Sequence, residues 1–159
     1  MLFFLFFFLD YKHKFFEIST LLLENIVEGS IEYLNKIDEL LYNLNNNNVE
    51  NIKFCLDVGH LFFGCYKIGI EQSKILEELK KCKNIVLNIK EIHLHDFNDQ
   101  TDHLNIGKGM LNFIEIRNFI LKNEINCPVI IESTMKDPNN DGCAQIKLVS
   151  QILFEKKEK

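Results

Sequence analysis

The segment EIHLHDFNDQTDHLNIGKG, residues 91–109, combines a short apolar run with an unusual density of histidine and aspartate. Its beginning belongs to the run KEIHLH, residues 90–95, in which apolar side chains alternate with charged and histidine side chains before Asp96. Short apolar runs that end in a polar group are typical of buried parallel strands. The segment therefore predicts a buried strand followed by a polar loop.

Three other runs in the chain share this form. They are STLLLE at 19–24, IKFCLD at 52–57 and PVIIE at 128–132, and each ends in a carboxylate. Between the four runs, apolar residues recur at the spacing of one helix face, and a last helix is expected from about Ala144 to Phe154. The residues that carry this helical spacing are Ile31, Leu34, Ile37, Leu40, Leu41 and Leu44, then Ile75, Leu76 and Leu79, then Phe113, Ile116, Phe119 and Ile120.

Strands that alternate with helices predict an α/β fold of right-handed parallel β/α units, with about four strands. Only two prolines occur in 159 residues, and no linker-like stretch divides the chain. We therefore expect residues 1–159 to form a single domain.

Composition narrows the functional classes. Hydrophobic residues make up 47% of the chain and the net charge is -5, which excludes disorder and a broad basic surface for nucleic acid. The five cysteines are an odd number without a CxxC pair, as expected for reduced thiols in the cytoplasm.

The chain opens with the apolar run MLFFLFFFLD, residues 1–10. The run is far shorter than the roughly 20 residues that span a bilayer. It also lacks a preceding positive charge and a cleavage site of small residues, so a secretory signal is a poor match. We interpret it as a buried helix, with a signal or an anchor as the alternatives, and expect no membrane partner.

Polar side chains stand at or just after the end of every predicted strand. In a parallel sheet these ends share one edge, so the side chains should converge. Carboxylates mixed with imidazoles suit one divalent metal ion, Mn²⁺, Co²⁺ or Zn²⁺. His95 and Asp96 fit two interpretations equally, as supports of the ligands or as ordinary turn residues. The converging residues are Glu24, Asn25, Asp57, His60, His93, His95, Asp96 and Glu132.

Four segments together resemble successive signatures of the xylose isomerase-like barrel superfamily. They are LLLENIVEG, FCLDVGHLFFG, EIHLHDFNDQTDHLNIGKG and VIIEST. This superfamily contains sugar phosphate isomerases and epimerases and the endonuclease IV-type enzymes, AP endonuclease family 2. The resemblance implies that the chain forms the C-terminal half of a TIM barrel, whose full length is about 250 residues.

Similarity to the epimerase branch implies a role for each strand-end residue. Glu24, Asp57, His93 and Glu132 would bind the single metal ion, with Glu24 and Glu132 also acting as base and acid. His60, His103 and Lys108 would contact the substrate, a small carbohydrate or sugar phosphate. The expected function is thus isomerisation or epimerisation through an enediolate.

Two alternatives remain open. The first is an endonuclease IV-like nuclease for abasic DNA, which would bind additional metal ions through His60, His103 and an aspartate. In this chain Thr101 stands where that aspartate is expected and Asp102 follows it, which weakens the match, so nucleic acid is the less expected partner. The second is a non-catalytic half-barrel, which would pair with a second copy or with a missing N-terminal half.

Overall fold

The computed structural model of the protein describes residues 20–27, 31–134 and 142–154. Strands and helices alternate through most of this part of the chain. The elements are β1 (Leu21–Glu24), α1 (Ile31–Asn46), β2 (Ile52–Asp57), α2 (Val58–Lys67), α3 (Gln72–Lys81), α4 (Lys83–Asn88), β3 (Ile89–Leu94), α5 (Phe113–Lys122), β4 (Val129–Ile131) and α6 (Gly142–Leu153).

The four strands form one sheet in the order β1-β2-β3-β4, and every neighbouring pair is parallel. This arrangement confirms the predicted α/β fold of parallel β/α units and is that of part of a TIM barrel. The register pairs Glu24 with Cys55 and Asp57 with His93. Because all strands run the same way, their C-terminal ends lie at one edge of the sheet.

The two faces of the sheet differ in chemistry because successive side chains of a strand point to opposite faces. Phe54 and Leu56 of β2 belong to the main apolar core, as do Ile92 and Leu94 of β3. The alternate residues of these strands are polar or thiol side chains and point away from that core. The second face therefore carries Cys55, Asp57, Glu91 and His93.

The helices cover the apolar face with most of the residues that the helical spacing predicted, although Leu40 of α1 is exposed. In α1, Leu34, Ile37 and Leu41 are buried, and in α3 the buried set includes Ile75 and Leu79. Fully burying one such side chain stabilises a protein by about 1.5–3 kcal/mol. In α5 the buried residues are Phe113, Ile116, Phe119 and Ile120, all of which the helical spacing predicted.

Helices α2 and α4 were not expected from the sequence. α2 begins directly after β2, because the Asp57 side chain caps it by accepting a hydrogen bond from the backbone N–H of His60 at 2.7 Å. Most of the residues of α2 are buried, so its sequence lacks the polar face that marks a surface helix. α4 spans only six residues.

The remaining predictions concern the two ends of the chain and the thiols. The last helix is confirmed at Gly142–Leu153. The interpretation of residues 1–10 lies outside the described residues. Within 20–27, 31–134 and 142–154, none of the helices has the length and hydropathy needed to cross a membrane. The five cysteines all lie within the described residues and form no disulfide bond.

Candidate metal centre

The four predicted ligands come together at the C-terminal edge of the sheet. Glu24 and Asp57 end β1 and β2, His93 lies in β3, and Glu132 directly follows β4. One ligand atom from each side chain lies within 4.8 Å of the others. The parallel topology therefore brings together residues that are widely separated along the chain.

His93 lies at the middle of this group. Its Nδ1 is 3.0 Å from Glu24 Oε1 and 3.3 Å from Glu132 Oε1, and its Nε2 is 3.0 Å from Glu91 Oε1. Burial alone would lower the pKa of His93, but the surrounding carboxylates outweigh it and raise the pKa. Burial raises the pKa of Glu24, the His93 imidazole opposes this rise, and Asp57 and Glu132 add to it. The group carries an excess of negative charge, which a divalent cation would neutralise.

Asp57 is fully buried, and one of its oxygens lacks a partner. Oδ1 accepts the capping hydrogen bond from His60, whereas Oδ2 has no hydrogen-bond partner among the described residues. His60 Nδ1 faces Oδ2 at 3.2 Å without hydrogen-bond geometry. An unpartnered buried carboxylate oxygen is costly unless a cation binds it. The donor set therefore fits a metal ion.

Asn25 fixes the backbone of Asp57 from the neighbouring strand. Its side-chain amide donates to the Asp57 carbonyl at 2.8 Å and accepts from the Asp57 N–H at 2.9 Å. Asn25 is fully buried, so water does not compete for either bond. This pair holds the end of β2 against the end of β1.

A second group of side chains, His60, Asp102 and His103, adjoins the first. His60 Nε2 lies 3.7 Å from Asp102 Oδ2, and His103 Nδ1 lies 3.2 Å from Asp102 Oδ1. His103 Nε2 in turn lies 3.9 Å from Glu132 Oε2. Burial alone would raise the pKa of Asp102, but His103 and His60 outweigh it and lower the pKa. Asp102, and not Thr101, thus lies against both histidines.

His95 contacts side chains of both groups. Its Nδ1 accepts a hydrogen bond from the His103 N–H at 2.9 Å, and its ring stacks on the His103 ring with centroids 4.0 Å apart. Its Nε2 faces Asp57 Oδ1 at 3.2 Å. Burial would lower the pKa of His95, but the Asp57 carboxylate outweighs it and raises the pKa. These contacts agree with the interpretation of His95 as a support of the predicted ligands.

Asp96 organises the loop that carries His103. Its carboxylate accepts hydrogen bonds from the backbone N–H groups of Phe97, Gly107, Gly109 and Leu111, at 2.8–3.0 Å. Its backbone pairs with Leu104 as an isolated antiparallel bridge. Asp96 is a structural turn residue whose hydrogen bonds fix the loop beside the ligand groups.

Lys108, expected to contact substrate, is exposed on the turn of this loop. Its backbone N–H donates to the Asn105 carbonyl at 3.0 Å. Among residues 20–27, 31–134 and 142–154, no carboxylate lies within ion-pair distance of its ammonium group. The side chain is therefore open to a ligand from solvent.

Glu91 was not predicted as part of the site, although it belongs there. It lies two residues before His93 on the same strand, so both side chains point to the same face of the sheet. This period-2 spacing is the sequence signal that identifies it.

Comparison with known proteins identifies relatives over most of the chain. A sequence model of the xylose isomerase-like TIM barrel matches residues 16–148. A probable endonuclease 4 of Metamycoplasma arthritidis is 27% identical over 123 residues, which are 72% of this chain and 43% of that protein. A probable endonuclease 4 of Mycoplasma mobile is 30% identical over 119 residues, or 70% and 41%. The chain thus spans about two fifths of the length of these curated relatives.

A solved structure, of a D-tagatose 3-epimerase-like protein, shares the fold. It superimposes with a TM-score of 0.51 at 16% identity, over 85% of this chain and 62% of that one. At this identity the similarity concerns the fold alone.

Proposed function

Since this chain belongs to the xylose isomerase-like TIM barrel family, we propose that it supplies part of the metal centre of an endonuclease that cleaves DNA at abasic sites. The observation that carries the proposal is the second ligand group, His60, Asp102 and His103, directly beside the first. Two adjacent groups suit phosphodiester cleavage, for which nucleases commonly use paired metal ions. The two endonuclease 4 relatives support the same assignment.

Glu24, Asp57, His93 and Glu132, whose ligand atoms lie within 4.8 Å of one another, would hold one metal ion. His60 and His103, with Asp102 lying against both, would hold another. Ions bound there would supply an activated water molecule and would stabilise the charge that develops on the phosphate and the leaving oxygen. Mn²⁺, Co²⁺ and Zn²⁺ all suit these ligands.

Three side chains in or beside the two groups have further proposed roles: Glu132, His95 and Lys108. Glu132 faces both groups, because its Oε1 lies near His93 and its Oε2 near His103. His95 fixes the backbone of His103 through the hydrogen bond to its Nδ1, and its Nε2 faces Asp57 Oδ1 without hydrogen-bond geometry. Lys108, exposed on the adjoining turn, would contact a DNA phosphate.

A second candidate is the isomerase or epimerase activity implied by the sequence resemblance. It is favoured by the completeness of the first group, which holds all four ligands of a single-metal centre. In this case Glu24 and Glu132, on either side of His93, would act as base and acid on a small carbohydrate or sugar phosphate. His60, His103 and Lys108 would then bind that substrate.

The number of bound metal ions distinguishes the two candidates. After dialysis against micromolar Zn²⁺, elemental analysis of the wild-type chain should give about two ions, as expected for a paired centre. The Asp102→Ala variant should retain about one ion, and the double variant Asp57→Ala, His93→Ala almost none. Asp99→Ala, which removes an exposed carboxylate from the same loop, is the matched control.

Each outcome has a distinct meaning. One ion in the wild type, unaffected by Asp102→Ala, would favour the isomerase or epimerase. No bound metal in a folded wild-type chain would contradict both candidates and favour the non-catalytic half-barrel. Cleavage of a duplex oligonucleotide with a tetrahydrofuran abasic site, compared with conversion of a ketose, then tests the activity itself.

The described sheet has four strands, whereas a closed TIM barrel has eight. A second copy of the chain is one source from which the other strands of a closed barrel would come. Light scattering of the purified chain measures whether it forms a dimer. A folded monomer that binds metal but cleaves no DNA would indicate that the substrate contacts lie in the other half.

A further inference from the structure

A layer of side chains lies directly beneath the proposed ligands. The register pairs Cys55 with Glu91 and Asp57 with His93 across β2 and β3. Because alternate residues of a strand share a face, Cys55 lies below Asp57 and Glu91 lies below His93. The ligand layer thus rests on a thiol and a carboxylate.

Glu91 contacts Cys55 in its own layer and His93 in the layer of proposed ligands above it. Its Oε1 lies 3.0 Å from His93 Nε2 and 4.0 Å from Cys55 Sγ. Cys55 is buried, and its Sγ donates to this oxygen of Glu91. The same oxygen faces His93 Nε2, so Glu91 is placed to accept a proton from the His93 ring as well.

A histidine ligand binds a metal ion through one nitrogen and carries a proton on the other. In His93, Nδ1 faces the carboxylates of Glu24 and Glu132. Nε2 faces away from them, toward Glu91. The ring is therefore oriented for binding through Nδ1, provided that its proton stays on Nε2.

We propose that Glu91 is a positioning residue that accepts the Nε2 proton of His93 and so presents Nδ1 to the metal ion. This inference rests on the proposed metal centre, since it gives His93 the role of a ligand. Cys55 has a supporting part, because its S–H donates to the same oxygen of Glu91.

The affinity of the chain for Zn²⁺ tests the proposal. Removing such a hydrogen-bond partner typically weakens metal binding by roughly 10- to 100-fold, and we expect a loss of that order for Glu91→Ala. Glu91→Gln should regain most of the affinity, because its side-chain carbonyl can accept the same proton. Lys90→Ala, which changes the exposed neighbour on the same strand, should bind as the wild type does. Competition with a chelating dye at constant pH gives the dissociation constants.

A second readout follows the proton itself. In ¹⁵N-labelled protein, the His93 Nε2–H resonance, assigned by comparison with His93→Gln, should exchange slowly with water with and without Zn²⁺. In Glu91→Ala it should exchange rapidly. Unchanged affinity and unchanged exchange in Glu91→Ala would overturn the proposal.

The metal-free spectrum separates this inference from the proposed function. If the folded wild type binds no Zn²⁺ but Glu91 still protects its Nε2 proton, the result contradicts the proposed metal centre and supports the Glu91–His93 hydrogen bond. If the wild type binds Zn²⁺ but its Nε2 proton exchanges rapidly, the metal centre stands and the role of Glu91 is overturned. This last comparison needs no variant of Glu91, so it holds even where Glu91→Ala does not fold.

Discussion

The backbone N–H of Gly109 donates a 2.8 Å hydrogen bond to the carboxylate of Asp96, and a Cβ at Gly109 would collide with that same carboxylate. Glycine is therefore required for the loop to close around Asp96. Because Asp96 is fully buried, the backbone donors that it satisfies have no access to alternative partners in water.

The Asp96→Asn variant should destabilise the protein. Its amide oxygen can accept from some of the backbone donors, but its NH₂ group must face the others. Leaving buried donors unsatisfied costs about 1–3 kcal/mol each, so we expect a loss of roughly 2–4 kcal/mol in the free energy of unfolding. Guanidinium unfolding followed by circular dichroism measures it. Asp99→Asn, exposed in the same loop, should change this free energy by less than about 0.5 kcal/mol, and an equal effect in both variants would contradict the assignment.

The Asn25→Asp variant should weaken the junction between β1 and β2. It removes the N–H donor that binds the Asp57 carbonyl and adds a buried negative charge beside Asp57 and Glu24. Both changes are unfavourable, and we expect a loss of roughly 2–4 kcal/mol in the free energy of unfolding in urea. Asn45→Asp on the exposed side of α1 is the control. A variant as stable as the wild type would show that the two bonds contribute little.

The Gly59→Ala variant should displace His95. A Cβ at this position would overlap the His95 ring, which is fully buried and stacked on His103. Overpacking of this kind costs about 1–3 kcal/mol, and loss of the His95 contacts should also lower Zn²⁺ content. Thermal unfolding and elemental analysis measure the two effects. Gly69→Asn provides the control, because Gly69 has open space around it and asparagine tolerates its positive φ of 77°.

Thiol reactivity should differ strongly among the cysteines. Burial raises the pKa of Cys65 and of Cys82 to about 11, so only ~0.03% of either thiol is ionised at pH 7.5. Exposed Cys143 should react first with iodoacetamide, and the two buried thiols only after unfolding. Mass spectrometry of peptides from briefly labelled protein identifies the modified residues. Cys143→Ser should remove the fast phase, and rapid labelling of Cys65 in folded protein would contradict the burial.

The sequence predicts the strands and their converging ends well, for a physical reason. Buried parallel strands must be apolar, and the first polar residue after each marks its end, as Asp57 does after β2 and Glu132 after β4. Topology then brings these ends together without any knowledge of packing. The convergence of the four residues predicted as ligands could be predicted for this reason.

Other features depend on three-dimensional contacts that leave no periodic signal. α2 is buried on most sides, so Leu61, Phe62 and Phe63 form a continuous apolar run. Asp102 reaches His60 because the loop turns at His103, whose φ of 54° is rare for a residue other than glycine. Sequence spacing alone placed the expected aspartate at position 101, where this chain has Thr101.

Glu24 ends β1 and Glu132 follows β4, the two edge strands of the described sheet, whereas Asp57 and His93 belong to its central strands. A cation bound by all four would therefore link the two edge strands to the central strands. The stability of the sheet edges would then depend on the free metal concentration. Binding to the folded state alone adds about 1.4 kcal/mol of stability for each tenfold rise in free metal above the dissociation constant. Metal supply would then determine how firmly the ends of β1 and β4 are held.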